Sequence, residues 1–254
     1  MGRSKELGYN VAFKPRLMSP AHPMQPLRRL VILCRGDSKR IAVWLDEREP
    51  QWMMTCILTI AAGCALYGSV VGLWRGPLQA VYTGIKMPLL IFLTCAGNAL
   101  LNGVLAQVLG SGLSFRQTSL AILMSFTIAS LVLAALSPVA LFILLNTPPA
   151  LASDPWGTGH HLTLLCDVLF IAYAGVVANR RLLRLLERRC ETPGAAQRVF
   201  WSWLAGNLFL GAQLSWILRP FIGSPMLPVQ FVRDNALRGN FYEAVLHAIR
   251  HLFD

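Results

Sequence analysis

Asp167 is the main candidate for chemistry in this 254-residue chain, because it lies in an apolar run from about Leu162 to Val177. A carboxylate inside a membrane span is costly unless it is paired, neutralised or facing a cavity. Arg219 closes the next apolar run at the same predicted side of the membrane. The arrangement favours a structural Asp167–Arg219 pair that ties two helices together. Proton or ion coupling at Asp167 is one alternative, and a carboxylate that only reaches toward the headgroups is another.

Three amides lie at comparable depth in other apolar runs. Asn98 and Asn102 are spaced i, i+4 and share one helix face, and Asn207 lies in the last run. We expect hydrogen bonds between helices here, each worth about 1 kcal/mol. A polar path for conduction or for a substrate is the alternative.

Gly68, Gly72 and Gly76 follow one another at intervals of four residues and form two overlapping GxxxG patterns. Glycine at this spacing permits close approach of two helix backbones. The pattern favours packing within the chain over a dedicated dimer face.

Four of the five histidines occur as two pairs. His247 and His251 have the i, i+4 spacing of metal ligands, but neither a third ligand nor an HExxH pattern accompanies them. Both they and His160–His161 are interpreted as surface residues. Since Walker, dinucleotide-binding and nucleophile-elbow motifs are also missing, the sequence predicts no catalytic residue, no metal and no cofactor. A lipid-modifying enzyme using His160, His161 and Asp167 is the third and last alternative.

Most of these candidate residues lie within or beside long hydrophobic runs, so the helices that these runs predict would position them. The chain is 55% hydrophobic and 14% charged, whereas soluble domains are about 25% charged. A transmembrane helix needs about 20 mainly apolar residues. The sequence predicts an all-α polytopic membrane protein whose five transmembrane helices lie at about 52–74, 88–109, 119–145, 162–177 and 199–218. Pro138 predicts a kink or an early exit in the third of these.

Charge divides the chain into three regions. They are a basic cytoplasmic N-terminal region 1–51, the five-helix transmembrane domain 52–218 and an extracytoplasmic amphipathic segment 219–254. Lys and Arg concentrate on the side of the N-terminus, whereas loop 146–161 contains neither. The positive-inside rule therefore predicts a multi-pass protein with a cytoplasmic N-terminus. In the absence of a visible organelle signal, we expect the bacterial inner membrane.

Amphipathic segments flank the spans. Residues 27–47 alternate basic and apolar clusters, which predicts helices lying on the inner leaflet. Residues Asn240 to Phe253 predict a similar helix, capped by Asn240, on the outer surface.

A basic stretch at 179–189 continues the fourth span. Leucines 182, 183, 185 and 186 are predicted to touch the membrane. Five arginines are predicted to bind the phosphates of anionic lipids: Arg180, Arg181, Arg184, Arg188 and Arg189. Membrane lipids are therefore predicted partners. Nucleic acid is not, because no recognition motif accompanies the charge.

Two stretches carry a family resemblance. They are GPLQAVYTGIKMPLLIFLT, which begins at Gly76, and GLSFRQTSLAILMSFTIASLVLAALSPVALFI, which begins at Gly112. Together they resemble the core of Yip-type membrane proteins, the five-span family named for interaction with Ypt/Rab small GTPases. The resemblance covers about residues 52–218 and implies a five-span topology with a role in membrane shaping or trafficking. The basic loop 178–198 and the sequence LRPFIGSP at 218–225 depart from that pattern.

The sequence favours a non-enzymatic scaffold or accessory subunit that organises a membrane complex or the surrounding bilayer. Its expected protein partner is another membrane protein or a second copy of the chain. A small-solute or ion permease using Asp167, Asn98 and Asn207 is the alternative.

Overall fold

Seven α-helices make up most of the part of the chain that the structure, a computed structural model, describes. That part comprises residues 25–108, 112–147, 158–190, 192–223 and 227–243. The helices are α1 Pro26–Arg35, α2 Ser38–Trp44, α3 Pro50–Leu73, α4 Pro77–Val108, α5 Phe115–Leu145, α6 Thr158–Arg189 and α7 Pro193–Ile217. The prediction of an all-α fold is confirmed for these residues.

The helix starts follow from local chemistry. Pro26, Pro50 and Pro193 stand at the first turns of α1, α3 and α7, where the missing N–H of proline costs no hydrogen bond. A reciprocal capping box starts α5: the Ser114 hydroxyl accepts from the Gln117 N–H, and the Gln117 side-chain oxygen accepts from the Ser114 N–H.

Within the described residues, four helices are long and apolar enough to cross a membrane. They are Pro50–Leu73, Pro77–Leu105, Phe115–Leu145 and Leu162–Arg189. The predicted fifth span folds as the 25-residue helix α7, but α7 is not among these four. Asn207, Gln213 and three tryptophans lower its mean hydropathy.

One predicted boundary is wrong, and one predicted alternative at Pro138 does not occur. Helix α4 begins at Pro77, and only residues 74–76 separate it from α3. Lys86, which the sequence placed in a loop before a span starting at Pro88, therefore lies inside α4. Helix α5 continues through Pro138 to Leu145, so the expected early exit does not occur.

The bundle is built around α3. This helix packs against both α4 and α5, and α4 also contacts α7 while α5 contacts α6. Its buried side chains include Cys56, Ile60 and Cys64. At Gly63, a Cβ atom would lie 2.8 Å from the backbone oxygen of Ser130 in α5, so the glycine permits close packing of the two helices.

Helices α1 and α2 pack on the end of the bundle where α3 and α5 begin. Ile32, Leu33 and Ile41 are buried there, whereas Leu27 and Val31 are exposed. Some apolar side chains of α1 and α2 therefore pack against the bundle, and others are exposed on its surface.

Candidate functional site

Asp167 pairs with a tyrosine and not with the predicted arginine. The phenol of Tyr67 in α3 donates a hydrogen bond of 2.6 Å to Oδ1 of Asp167 in α6. A space of about 20 Å³ adjoins the pair, and Thr163 and Cys166 contribute to its lining. A water molecule needs about 10–15 Å³, so this space has the size for a single water and not for a path across the bundle.

Arg219 has different partners. Its guanidinium donates to the backbone oxygen of Trp216 over 2.6 Å and stacks 3.7 Å from the centroid of the Trp216 ring. A longer contact of 3.5 Å reaches the oxygen of Ala236. The predicted Asp167–Arg219 pair is wrong, because Arg219 turns back onto α7 and the segment that follows it.

The three predicted amides do meet. The Asn98 side chain donates to Oδ1 of Asn207, which joins α4 to α7. It also donates to the Thr94 oxygen over 2.9 Å, and Asn102 donates to Oδ1 of Asn98 over 3.3 Å. Because Asn98 and Asn102 are fully buried, this cluster is an internal polar contact between helices.

Gly206, which the sequence did not single out, leaves room for the amide cluster. A Cβ atom at this position in α7 would lie 3.1 Å from Oδ1 of Asn98. Its position next to Asn207 in the sequence was the available signal. A small residue beside a polar one permits helices to approach closely enough for a side-chain hydrogen bond.

The glycine series divides into two roles. A Cβ atom at Gly68 would lie 2.6 Å from Thr83 O, and one at Gly72 would lie 2.5 Å from Gln79 O. These two glycines permit the close approach of α3 and α4. Gly76 contacts nothing in this way and has a φ of 143° in the turn, so its predicted packing role is wrong.

A polar cluster on α4, which the sequence did not identify, binds the segment after α7. Lys86 Nζ donates to Pro220 O over 2.7 Å, and Thr83 Oγ1 donates to Phe221 O over 2.6 Å. Gln79 Nε2 also donates to the oxygen of Phe221 over 2.7 Å. All three α4 side chains are buried. Their i, i+4, i+7 spacing on one helix face was the available signal.

Aromatic rings complete the surroundings of Lys86. Its Nζ lies 5.1 Å from the ring centroid of Phe231 and 5.9 Å from that of Phe221, within the range of cation–π attraction. The ammonium is therefore held by a carbonyl and two ring faces.

The basic end of α6 is partly occupied by protein contacts. Arg181 donates to Leu33 O over 3.0 Å, and Arg189 makes two hydrogen bonds with the carboxylate of Asp46 over 2.7 and 2.9 Å. The Arg189 hydrogen bond lowers the pKa of Asp46. These two arginines bind the chain itself, whereas Arg180, Arg184 and Arg188 are exposed.

Three of the four α6 leucines that were predicted to touch the membrane are buried by protein. Leu182, Leu185 and Leu186 are buried, where α6 packs against α2. Their burial by protein means that they do not form the predicted membrane-facing stripe.

Arg29 of α1 is the centre of an ionic cluster at the same end of the bundle. Its guanidinium lies 3.3 Å from a Glu47 carboxylate oxygen and 2.7 Å from one of Glu49. The Trp44 and Trp52 ring centroids lie 5.4 and 5.8 Å from its central carbon. The cluster joins α1 to the segment that leads into α3.

The side chains of the four paired histidines lie outside the part of the chain that the structure describes. His247 and His251 lie outside the described residues, and the side chains of His160 and His161 are likewise not described. Within the described ranges, no group of three His, Cys, Asp or Glu residues is placed to hold a metal ion. At Asn240, the side chain accepts from the Glu243 N–H over 2.8 Å, but most of the predicted terminal helix falls beyond residue 243.

Comparisons with known protein families, curated proteins and solved structures find no significant match to this chain.

Proposed function

We propose that this chain is a non-enzymatic membrane scaffold or accessory subunit. The observation that carries the proposal is the use of polar residues within the bundle. Asp167 is bonded to Tyr67, and Asn98 to Asn207. Such bonds join helices, and they leave only the small space of about 20 Å³ beside Asp167, which gives no support to a permease.

The proposed topology has five spans, with α7 as the fifth. Helix α7 has 25 residues and so measures about 37 Å at 1.5 Å per residue, enough for a bilayer core of about 30 Å. Its hydrogen bond to α4 through Asn207 supports a position among the other spans. The concentration of Lys and Arg on the side of the N-terminus supports a cytoplasmic N-terminus, by default in a bacterial inner membrane.

The proposed lipid-contacting surface lies at the end of the bundle formed by α1, α2 and the last turns of α6. Arg180, Arg184 and Arg188 are exposed on α6. A surface depression on α1 and α2 combines basic and apolar side chains, including Arg28, Arg35 and Leu27. Basic residues near a membrane surface attract anionic lipids by about 1 kcal/mol each.

A protein partner follows from the same proposal, since an accessory subunit acts through the complex that contains it. The partner would be another membrane protein or a second copy of this chain. The resemblance of residues 52–218 to Yip-type proteins agrees with a role in organising membranes.

The proposal is tested by extracting the native protein in a mild detergent and measuring the mass and composition of the particle. A stoichiometric partner or a defined homo-oligomer is expected. A lone monomer would contradict the scaffold assignment. Loss of solute flux in Asp167→Asn with normal expression would instead establish the permease.

A further inference from the structure

A cavity of about 560 Å³ opens at the end of the bundle where α3 and α5 begin. Ligand pockets commonly measure about 300–1,000 Å³, so its size suits a bound molecule. The wall extends along α3 from Pro50 to Ile57, which corresponds to about 10 Å of helix. The cavity therefore reaches from the end of the span into its apolar part.

The inner part of the cavity is apolar. Met53 and Ile57 of α3 face Phe92 of α4 and Leu120 and Leu123 of α5. Burial of hydrocarbon against such side chains contributes about 0.8 kcal/mol per methylene group. An unbranched hydrocarbon chain matches this lining, and a polar solute does not.

The mouth of the cavity is charged, and one of its cations has no ion pair with the residues that the structure describes. Arg29 is bound by Glu47 and Glu49, and Arg116 donates to the backbone oxygens of residues 45–47. Arg48 also lines the cavity; it is exposed and has no ion pair or hydrogen bond with the described residues. It is therefore available to an anionic group at the mouth.

Trp52 lines the cavity without offering it a hydrogen-bond donor. The Trp52 side chain lines the cavity and is 3% exposed. Its Nε1–H makes no hydrogen bond with the described residues. Because Nε1 itself is buried, Trp52 contributes apolar surface and not a hydrogen-bond donor to the cavity.

We propose that this cavity binds one acyl chain of an anionic phospholipid, with the lipid phosphate at Arg48. The chain occupies the apolar part between α3, α4 and α5. The headgroup stays at the end of the bundle, where Arg48 supplies the complementary charge. This site is distinct from the exposed arginines of α6 and would hold a single lipid.

Native mass spectrometry of the delipidated full-length chain in detergent tests the site. Phosphatidylglycerol is the probe, with phosphatidylcholine of the same chains and inorganic phosphate as comparisons. We expect one retained phosphatidylglycerol, about fivefold weaker retention of phosphatidylcholine and no retention of phosphate. Equal retention of the two lipids, or binding of phosphate alone at the same affinity, would overturn the assignment.

Matched variants locate the binding. Ala99 lines the cavity, and Ala99→Trp should abolish retention of the lipid by filling the apolar part. Leu100, 65% exposed on the same helix, provides the control Leu100→Trp, which should retain it. Arg48→Gln should remove the preference for phosphatidylglycerol, whereas Arg198→Gln, at an exposed position on α7, should keep it. Equal retention by Ala99→Trp and Leu100→Trp would overturn the proposal.

A measurement on the unaltered chain covers the case in which Ala99→Trp fails to fold. Phosphatidylglycerol with a photoactivatable group in its acyl chain should form adducts within 53–57 and 119–123. Adducts concentrated on outward-facing residues such as Leu208 and Phe209 would show a lipid bound around the bundle and would reject the cavity as the site.

Discussion

The Tyr67 hydroxyl donates a hydrogen bond of 2.6 Å to Oδ1 of Asp167, and these two residues stand 100 positions apart in the chain. The bond joins α3 to α6 within the bundle. It gives the carboxylate of Asp167 a hydrogen-bond donor from the neighbouring helix.

Tyr67→Phe should destabilise the protein by about 1 kcal/mol, because it removes the donor and leaves the Asp167 oxygen without it. Asp167→Asn keeps an acceptor oxygen and should cost less. Thermal unfolding of both variants in detergent provides the measurement. Greater destabilisation by Asp167→Asn than by Tyr67→Phe would mean that the carboxylate has another essential contact.

The amide contact between α4 and α7 should be energetically coupled. Asn98→Ala and Asn207→Ala should each lower the free energy of unfolding. The loss in the double variant should be about 1 kcal/mol smaller than the sum of the two single losses. A double-mutant cycle of unfolding free energies measures this difference. Gln213→Ala on α7 is the control and should show no coupling to Asn98. Simple additivity at Asn98 and Asn207 would contradict the hydrogen bond.

Substitution of two helical glycines should have opposite effects. Gly72→Ala places a methyl group 2.5 Å from Gln79 O and 2.8 Å from Ala80 Cα, so α3 and α4 must separate. Gly175→Ala meets nothing within 4 Å and should stabilise α6 by about 0.5–1 kcal/mol through helix propensity. The thermal midpoints of unfolding of the two variants provide the measurement. A similar change of midpoint in both would show that α3 and α4 tolerate the added methyl group.

Hydropathy and spacing predicted the class of the fold and one contact of the candidate site. The apolar runs coincide with α3 and α5 because a membrane span requires a continuous apolar stretch. Asn98 and Asn102 were expected to share a face because i, i+4 spacing defines it. A hydrogen bond to Asn207 was expected because the three asparagines lie at similar depth in their apolar runs.

The remaining contacts depend on which helices are neighbours, which a single sequence does not specify. Asp167 was paired with Arg219 on depth alone, but α6 presents it to Tyr67 of α3. The start of α4 was misplaced because Lys86 interrupts the apolar run. Its charge is accommodated by Pro220 O and by aromatic rings from beyond α7, a partner more than 130 residues away.

The pair of Asp46 and Arg189 should make stability depend on pH in the acid range. The Arg189 hydrogen bond lowers the pKa of Asp46 in the folded chain, below the ordinary value of about 3.9. The contribution of this pair to the free energy of unfolding is therefore complete above the ordinary pKa of aspartate. It is lost as the pH falls through the lowered pKa of Asp46. The thermal midpoint of Asp46→Asn should lie below that of the unaltered chain at pH 7, and this gap should narrow at the most acid pH.

Asp234→Asn serves as the control for that measurement, because Asp234 is exposed and far from Arg189 in the chain. Its midpoint should follow that of the unaltered chain at each pH. A constant gap between Asp46→Asn and the unaltered chain would show that the ionised carboxylate contributes nothing to stability through Arg189.

Lys86→Met should release the segment that follows α7. The variant loses the donor to Pro220 O and the contact with the Phe231 ring. Loss of about 1 kcal/mol corresponds to a fivefold larger population of the released segment, so trypsin should cleave after Arg233 and Arg238 about fivefold faster. The thermal midpoint of the bundle should not fall, because methionine removes the cost of burying an ammonium group.

Leu89→Met, at a partly exposed position on the same helix, is the matched control for Lys86→Met. Its cleavage rate should equal that of the unaltered chain. If Lys86→Met is also cleaved at that rate, the Gln79 and Thr83 hydrogen bonds hold the segment by themselves. Faster cleavage combined with a lower midpoint would instead indicate that Lys86 supports the packing of the whole bundle, because the opening would no longer be confined to the segment after α7.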